Sequence, residues 1–234
     1  MILALETATA VASVAVIDKG KLIGEFFTNT SKNHSQSLMP LVDSLLRFVA
    51  KDIEEVAAFA LAIGPGSFTG LRIGLATVKG MCIALNKPAI GVSTLDGLAM
   101  NVSGAQGLIC PLLDARKSEV YTAVYNTQDN ELCRLTDYMA VAPSELMEQL
   151  AKYDQPVTIL GDAVDAYPEV FKEPFLRKAA QGNRWPRAAQ VAQLAWQRLQ
   201  RGEVDDIYNL APFYIRRSEA EVSWESKHGT GKEV

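Results

Sequence analysis

A chain of 234 residues, 48% hydrophobic and 21% charged, is long enough to bury roughly 70% of its unfolded surface and needs neither disulfide nor metal to fold. Its formal net charge of −4 excludes a protein that grips nucleic acid alone through a broad basic face. The charge is uneven: residues 1–100 carry 16 charged side chains against 34 in the remaining 134, so the front of the chain is either deeply buried or covered by a partner.

The opening MILALETATA has no basic n-region and is interrupted by Glu6, so it does not read as a signal peptide. Residues 2–5, 11–17 and 22–28 read as three strands, the last two joined by the turn signal Asp18-Lys19-Gly20-Lys21. This is an antiparallel meander. Leu38, Leu41, Val42, Leu45, Leu46 and Val49 then fall at helical spacing. Ser35 or Ser37 is the expected N-cap, and Pro40 is expected in the first turn. Residues 57–63 read as a buried strand, broken by Gly64-Pro65-Gly66-Ser67. A second helix over 68–85 is apolar nearly all round. Leu71, Leu75, Val78, Cys82 and Leu85 make one stripe, and Ile73, Ala76, Gly80 and Ile83 another. The uncharged run 56–71 contains Gly64, Pro65, Gly66 and Gly70 and falls short of the ~20 apolar residues that span a bilayer. A strand at 89–92 and a helix at 94–102 follow. The order β-β-β-α-β-α-β-α is that of a ribonuclease H-like fold, half of the actin-like (ASKHA) architecture.

The second half repeats this pattern. Setting Glu6 against Asp114 aligns two apolar strands that each end in an acidic residue, and it matches Ala15-Val16 with Ala123-Val124. A third strand is expected over 132–141, a helix over 143–151, a strand at 157–160 and a helix over 188–199. Residues 162–187, with Pro168, Pro174 and Pro186, read as loop. The expectation is therefore an α/β protein of two ribonuclease H-like lobes, with mixed sheets and crossover helices. The first lobe spans 1–105, the more diverged second spans 106–220 with a last helix free to pack back on the first, and 221–234 is a flexible tail.

Cys82, Cys110 and Cys133 are far apart, no CxxC pair exists, and free thiols in a reducing cytoplasm are the natural reading. The turn Glu6-Thr7-Ala8-Thr9-Ala10 offers an acid and small hydroxyls, which suits either a metal–phosphate turn or a capped β-turn. The matching turn, Asp114-Ala115-Arg116-Lys117-Ser118, places two cations where a phosphate or an RNA backbone would sit, or where local ion pairs would satisfy them. In GPGSFTG, residues 64–70, a strand ends in a glycine loop that opens a helix. Backbone N–H groups cradle anions at such places; equally, the glycines permit tight packing. No Lys-Ser or Lys-Thr follows, so this is not a Walker A loop. Candidate anion or nucleotide residues are Glu6, Thr7, Thr9, Gly64, Gly66 and Ser67. Hydrolytic readings are poor: His34 and Ser67 lie in separate segments, and neither GxSxG nor HExxH occurs.

The runs IGPGSFTGLRIGLATVKG (63–80), MILALETAT, HSQSLMPLVDSLL (34–46), GVSTLDGLA (91–99), DARKSEVY (114–121) and NLAPFYIRRSEAE (209–221) closely resemble the TsaB (YeaZ) family. The resemblance implies an actin-like, two-lobed, non-catalytic subunit of the bacterial machinery that forms threonylcarbamoyladenosine beside the tRNA anticodon. It further implies pairing with the paralogue TsaD, or with a second copy as a homodimer, through the first two helices. Carried over, that surface centres on Leu38, Leu41, Val42, Leu45, Leu71, Leu75 and Val78. TsaE is an implied third partner, tRNA is contacted through the complex, and no membrane is involved. No intrinsic cofactor and no metal are implied, while ATP or ADP is an expectation for the interface of the complex. At the positions that match the paralogue's two metal-binding histidines stand Thr94 and Leu98, neither of which supplies an imidazole ligand. Candidate RNA contacts are Arg116, Lys117, Arg216 and Arg217. The competing readings are a stand-alone actin-like ATPase or kinase and a glycoprotease-type metallopeptidase.

Overall fold

The structure, a computed structural model, describes residues 1–30, 33–128 and 131–216. These form two mixed sheets. The first contains β1 (Ile2–Glu6), β2 (Ala12–Asp18), β3 (Lys21–Thr28), β4 (Ala58–Gly64) and β5 (Ala89–Ser93), in the order β3-β2-β1-β4-β5. The meander β1-β2-β3 is antiparallel, and β4 and β5 add in parallel. The crossovers are α1 (His34–Phe48) and α2 (Phe68–Leu85), followed by α3 (Thr94–Met100).

The second sheet contains β6 (Leu108–Arg116), β7 (Glu119–Thr122), β10 (Met139–Val141), β11 (Val157–Leu160) and β12 (Leu176–Lys178), in the order β10-β7-β6-β11-β12. Its pairing repeats the first: antiparallel across β6-β7-β10, parallel across β6-β11-β12. This is the actin-like, two-sheet arrangement. Three details differ from the sequence expectation. The single strand at 132–141 is instead β8 (Tyr125–Gln128), β9 (Glu131–Arg134) and β10, with β8 pairing to β6 through Tyr125 and Ile109. The segment 162–187 is not plain loop, since it holds α5 (Ala163–Ala166) and β12. Elements of three or four residues that lack an apolar run, such as Tyr125–Gln128 and Leu176–Lys178, show no periodicity to reveal them. And α1 begins at His34 with Asn33 as N-cap, so Pro40 lies beyond the first turn.

Alternation along the strands decides which helix goes where. In β1 and β4 the residues Leu3, Leu5, Phe59 and Leu61 face one side, and Ile2, Ala4, Ala58, Ala60 and Ala62 the other. The bulky side takes α1 and α2 through Leu38, Val42, Leu45, Leu75 and Val78. The small side takes α6 (Ala188–Gln200), whose buried face is Ala188, Ala189, Val191, Ala192 and Ala195. Alanine against alanine lets helix and sheet approach closely. The α6 N-terminus is satisfied from the first sheet: Ala188 N–H donates to Ser13 Oγ (3.1 Å) and Ala189 N–H to Glu25 Oε1 (3.2 Å), while Arg187 pairs with Glu25. In the second sheet Leu108, Cys110 and Leu112 face α4 (Pro143–Leu150) and α5, whereas Ile109 and Leu113 face α3. Helices α3 and α6 touch, so they stand between the two sheets and carry their contact.

Candidate functional site

A cleft of about 1030 Å³ opens between the sheets. One wall is built by the β1–β2 turn. Glu6 is fully buried at the end of β1, and its Oε1 accepts the Ala8 N–H at 2.6 Å. Burial pushes its carboxyl up to about 7, against the pull of backbone hydrogen bonds from Ala8 and Thr7. Thr7 Oγ1 donates to the Gly70 carbonyl (2.9 Å), and Thr9 Oγ1 accepts from Val11 N–H (3.2 Å). The glycine loop packs directly on this turn. Ser67 N–H donates to Ala8 O at 2.6 Å, and a Cβ on Gly66 or Gly70 would overlap the carbonyl oxygens of Ala8 or Thr7. The glycines therefore serve close approach, the packing alternative weighed from sequence. Ser67 Oγ accepts from Gly70 N–H (3.3 Å) and caps α2. Of the six residues expected at an anion site, Thr9, Gly66 and Ser67 reach the cleft, whereas Glu6, Thr7 and Gly64 do not line it. The last three are spent on packing and internal hydrogen bonds.

His34 sits beside Gly70, close to a loop from which sequence separated it. Its Nε2–H donates to Thr9 O at 2.8 Å, and Nδ1 has no protein partner. Ser67 and His34 are thus not joined as nucleophile and base.

The opposite wall is the β6–β7 turn. Arg116, Lys117 and Ser118 all have positive φ (61°, 52° and 60°), a left-handed run that costs non-glycine residues. Asp114 organises it: Arg116 N–H donates to Asp114 Oδ1 (2.9 Å), Tyr167 O–H to the same oxygen (3.2 Å), and the Arg116 guanidinium lies 3.2 Å from Oδ2. Asp162 accepts the Asp114 N–H at 2.9 Å, and burial raises its carboxyl above the usual range. Arg216 pairs with Glu119. The structure thus brings Arg116, Lys117 and Arg216 to one cleft wall, with Arg116 and Arg216 already matched to carboxylates; Arg217 lies outside the described residues. Sequence reasoning passed over Thr69, Tyr121, Asp162 and Tyr214, which also line the cleft. Asp162 lies just past the end of β11, as Asp114 lies near the end of β6, and that repetition is its available signal.

The helix pair gives the main correction. Leu38, Val42, Leu45, Leu71 and Val78 are at most 1% exposed and Leu75 is 9% exposed; Leu41 alone of the seven is half-buried. They fill the core because the larger side chains face the protein's own sheet. The second α2 stripe behaves otherwise. Ile83 is 58% exposed, Ala76 and Gly80 are exposed and Ile73 is half-buried. On α1, Phe48 is 80% exposed and Met39 47%. Helix α2 is long and apolar enough to cross a membrane by length and composition, yet seven of its residues pack inside the protein. Thr94 and Leu98 are both fully buried, Leu98 in the core between α3 and the second sheet.

Comparison with known proteins places these features in context. Residues 24–224 match the family model described as TsaD, tRNA N6-adenosine threonylcarbamoyltransferase. The tRNA threonylcarbamoyladenosine biosynthesis protein TsaB of Bacillus subtilis is 33% identical over 95% of this chain and 97% of its own length. The protein of that name from Escherichia coli is 29% identical over 97% and 98%. Among solved structures, YeaZ from Pseudomonas aeruginosa superposes with a TM-score of 0.81 at 29% identity, covering 92% of this chain and 99% of that one.

Proposed function

This chain belongs to the TsaB (YeaZ) family, and from that premise we propose that it is the non-catalytic, activating subunit of a tRNA threonylcarbamoyl transferase, docking a TsaD-type paralogue on the outer face of α1 and α2. Its role is in tRNA threonylcarbamoyladenosine biosynthesis. The observation that carries the docking reading is the apolar α2 stripe Ile73, Ala76, Gly80 and Ile83, which is exposed except at half-buried Ile73. An exposed apolar strip is the kind of surface that a partner protein removes from water, and Phe48 and Met39 add exposed apolar area on α1. Gly80 has no atom within 4 Å of where its Cβ would stand, so another helix has room to come close. TsaE, tRNA reached through the complex, nucleotide at the interface and self-association in the absence of TsaD belong to the same reading.

The test is co-purification with the TsaD protein of the same organism. Ala76→Arg and Ile83→Glu are expected to abolish the complex while far-UV circular dichroism and Tm stay as in the parent. An intact complex after both changes overturns the docking face. Substitution at Leu41 or Leu75 is the poorer test, because Leu75 is core. A stand-alone ATPase finds support only in the size of the cleft. Against it, Glu6 and Thr7 are consumed internally and two of the cleft's arginines are paired. Titration with ATP and Mg²⁺ separates the two readings, with tight binding and turnover by the isolated chain favouring the ATPase.

A further inference from the structure

The chain beyond α6 does not leave the surface. Residues 203–216 run as an irregular strap from the free edge of the first sheet, past α2, to the second sheet. Asp205 starts it: its N–H donates to Ala89 O (2.9 Å), its Oδ2 accepts Gly91 N–H (2.7 Å), and Arg198 pairs with its carboxylate (3.1 Å). This covers the open edge of β5. Ile207 and Leu210 then pack into the core beneath α1 and α2.

The last four described residues alternate between the lobes. Phe213 N–H donates to Ile63 O at 2.7 Å. Gly64, at φ +120°, leaves no room for a Cβ, which would stand 2.5 Å from Phe213 O. The first glycine of GPGSFTG therefore makes room for the strap. The Phe213 ring lies 5.3 Å from that of Tyr138, which precedes β10 in the second sheet. Tyr138 O–H in turn donates to Asp96 (2.8 Å), as does Tyr125 O–H (2.7 Å), so the contact is anchored to α3 between the sheets. Tyr214 stacks on Phe68 in the first turn of α2 (5.2 Å, 25°), and its hydroxyl accepts from Arg72 Nε (3.1 Å). Arg216 pairs with Glu119 of β7. Tyr214 and Arg216 also line the cleft.

We propose that residues 203–216 are an interlobe clasp that sets the width of the cleft: Tyr214 seats on the first lobe while Phe213 and Arg216 hold the second. Opening the cleft requires parting Phe213 from Tyr138 and Arg216 from Glu119. The alternative is a strap that merely covers the first sheet, with the two lobes held by α3 and α6 alone. The clasp stands whether or not the docking reading holds, because its contacts lie within one chain.

Spin labels on cysteines introduced at Asn33, which lines the cleft, and at Ser118 in the β6–β7 turn that forms the opposite wall, both exposed, read its width by pulsed electron resonance in a Cys133→Ser background. The parent is expected to give one narrow distance distribution. Phe213→Ala and Arg216→Glu each are expected to broaden it and shift it to longer distances. Arg216→Glu combined with Glu119→Arg is expected to restore the narrow distribution, a rescue that a covering strap would not produce. An unchanged distribution in folded Arg216→Glu, or a double exchange no narrower than the single variants, overturns the clasp. Arg216 is only partly buried, so its variant tests the idea even if Phe213→Ala fails to fold.

Discussion

The β1–β2 turn and the β6–β7 turn occupy equivalent places in two sheets of matching topology, yet they are built in opposite ways. In the first, the Glu6 carboxyl, Thr7 hydroxyl and Ala8 carbonyl are engaged by the chain itself, and α2 presses on it through glycines. The second stands out in solvent on three left-handed residues, with Arg116 at 86% side-chain exposure. Divergence of a repeat has thus used one turn to bind a helix and left the other as a charged rim. In the first lobe the Glu6 carboxyl and the Thr7 hydroxyl serve internal hydrogen bonds, and the proposed docking face lies instead on the outside of α2.

The largest effect that sharpens this contrast is in pH. The Glu6 carboxyl titrates near 7 in the folded chain against 4.5 for an ordinary one, so the folded state holds this proton more tightly than the unfolded state. Its contribution is fully present below pH 4.5 and is lost as pH rises from 4.5 to 7. At ~1.4 kcal/mol per unit this loss is roughly 3 kcal/mol. Urea unfolding of Glu6→Gln and parent, compared at pH 4 and pH 8, is expected to show the variant gaining about that much relative stability at pH 8. A difference between the two proteins that does not change with pH would place Glu6 in contact with solvent. Next in size, Gly70→Ala drives a methyl into the Thr7 carbonyl and is expected to lower unfolding free energy by about 2–3 kcal/mol. The reverse exchange in the other turn has the opposite sign: Ser118→Gly relieves a residue at φ 60° and is expected to add about 0.5–1 kcal/mol. If both glycine exchanges move stability the same way, the two turns are not built as described. The smallest effect concerns the two faces of α2. Ile83→Ala is expected to change stability by less than about 0.5 kcal/mol, where Leu75→Ala in the core would cost about 2–5 kcal/mol.

Much of this architecture is legible in the sequence. Alternating large and small residues in ILALE and AFALAIG identify strands with two different faces, and GPGSFTG marks where α2 begins. The offset that sets Glu6 against Asp114 carries the second sheet. Periodicity does not say which apolar stripe of a helix meets its own sheet. The resemblance centres the partner surface on the leucine stripe, but that bulkier stripe buries more area within the chain and the Ile73–Ile83 stripe is the one left outside. Arg216 and Tyr214 fall in the run NLAPFYIRRSEAE, which carries the family resemblance, but no periodicity shows that they reach the cleft, because an irregular strap has no period; Gly64, a residue that must lack a side chain, marks where it passes.

Hydrogen exchange of the chain, alone and with the TsaD protein of the same organism, tests the docking face most directly. The expected result is slowed exchange across α2 and the end of α1, with the β6–β7 turn unchanged. Protection confined to the β6–β7 turn and the cleft, with α2 exchanging as in the free chain, would contradict the assignment of the outer face of α2 as the docking surface.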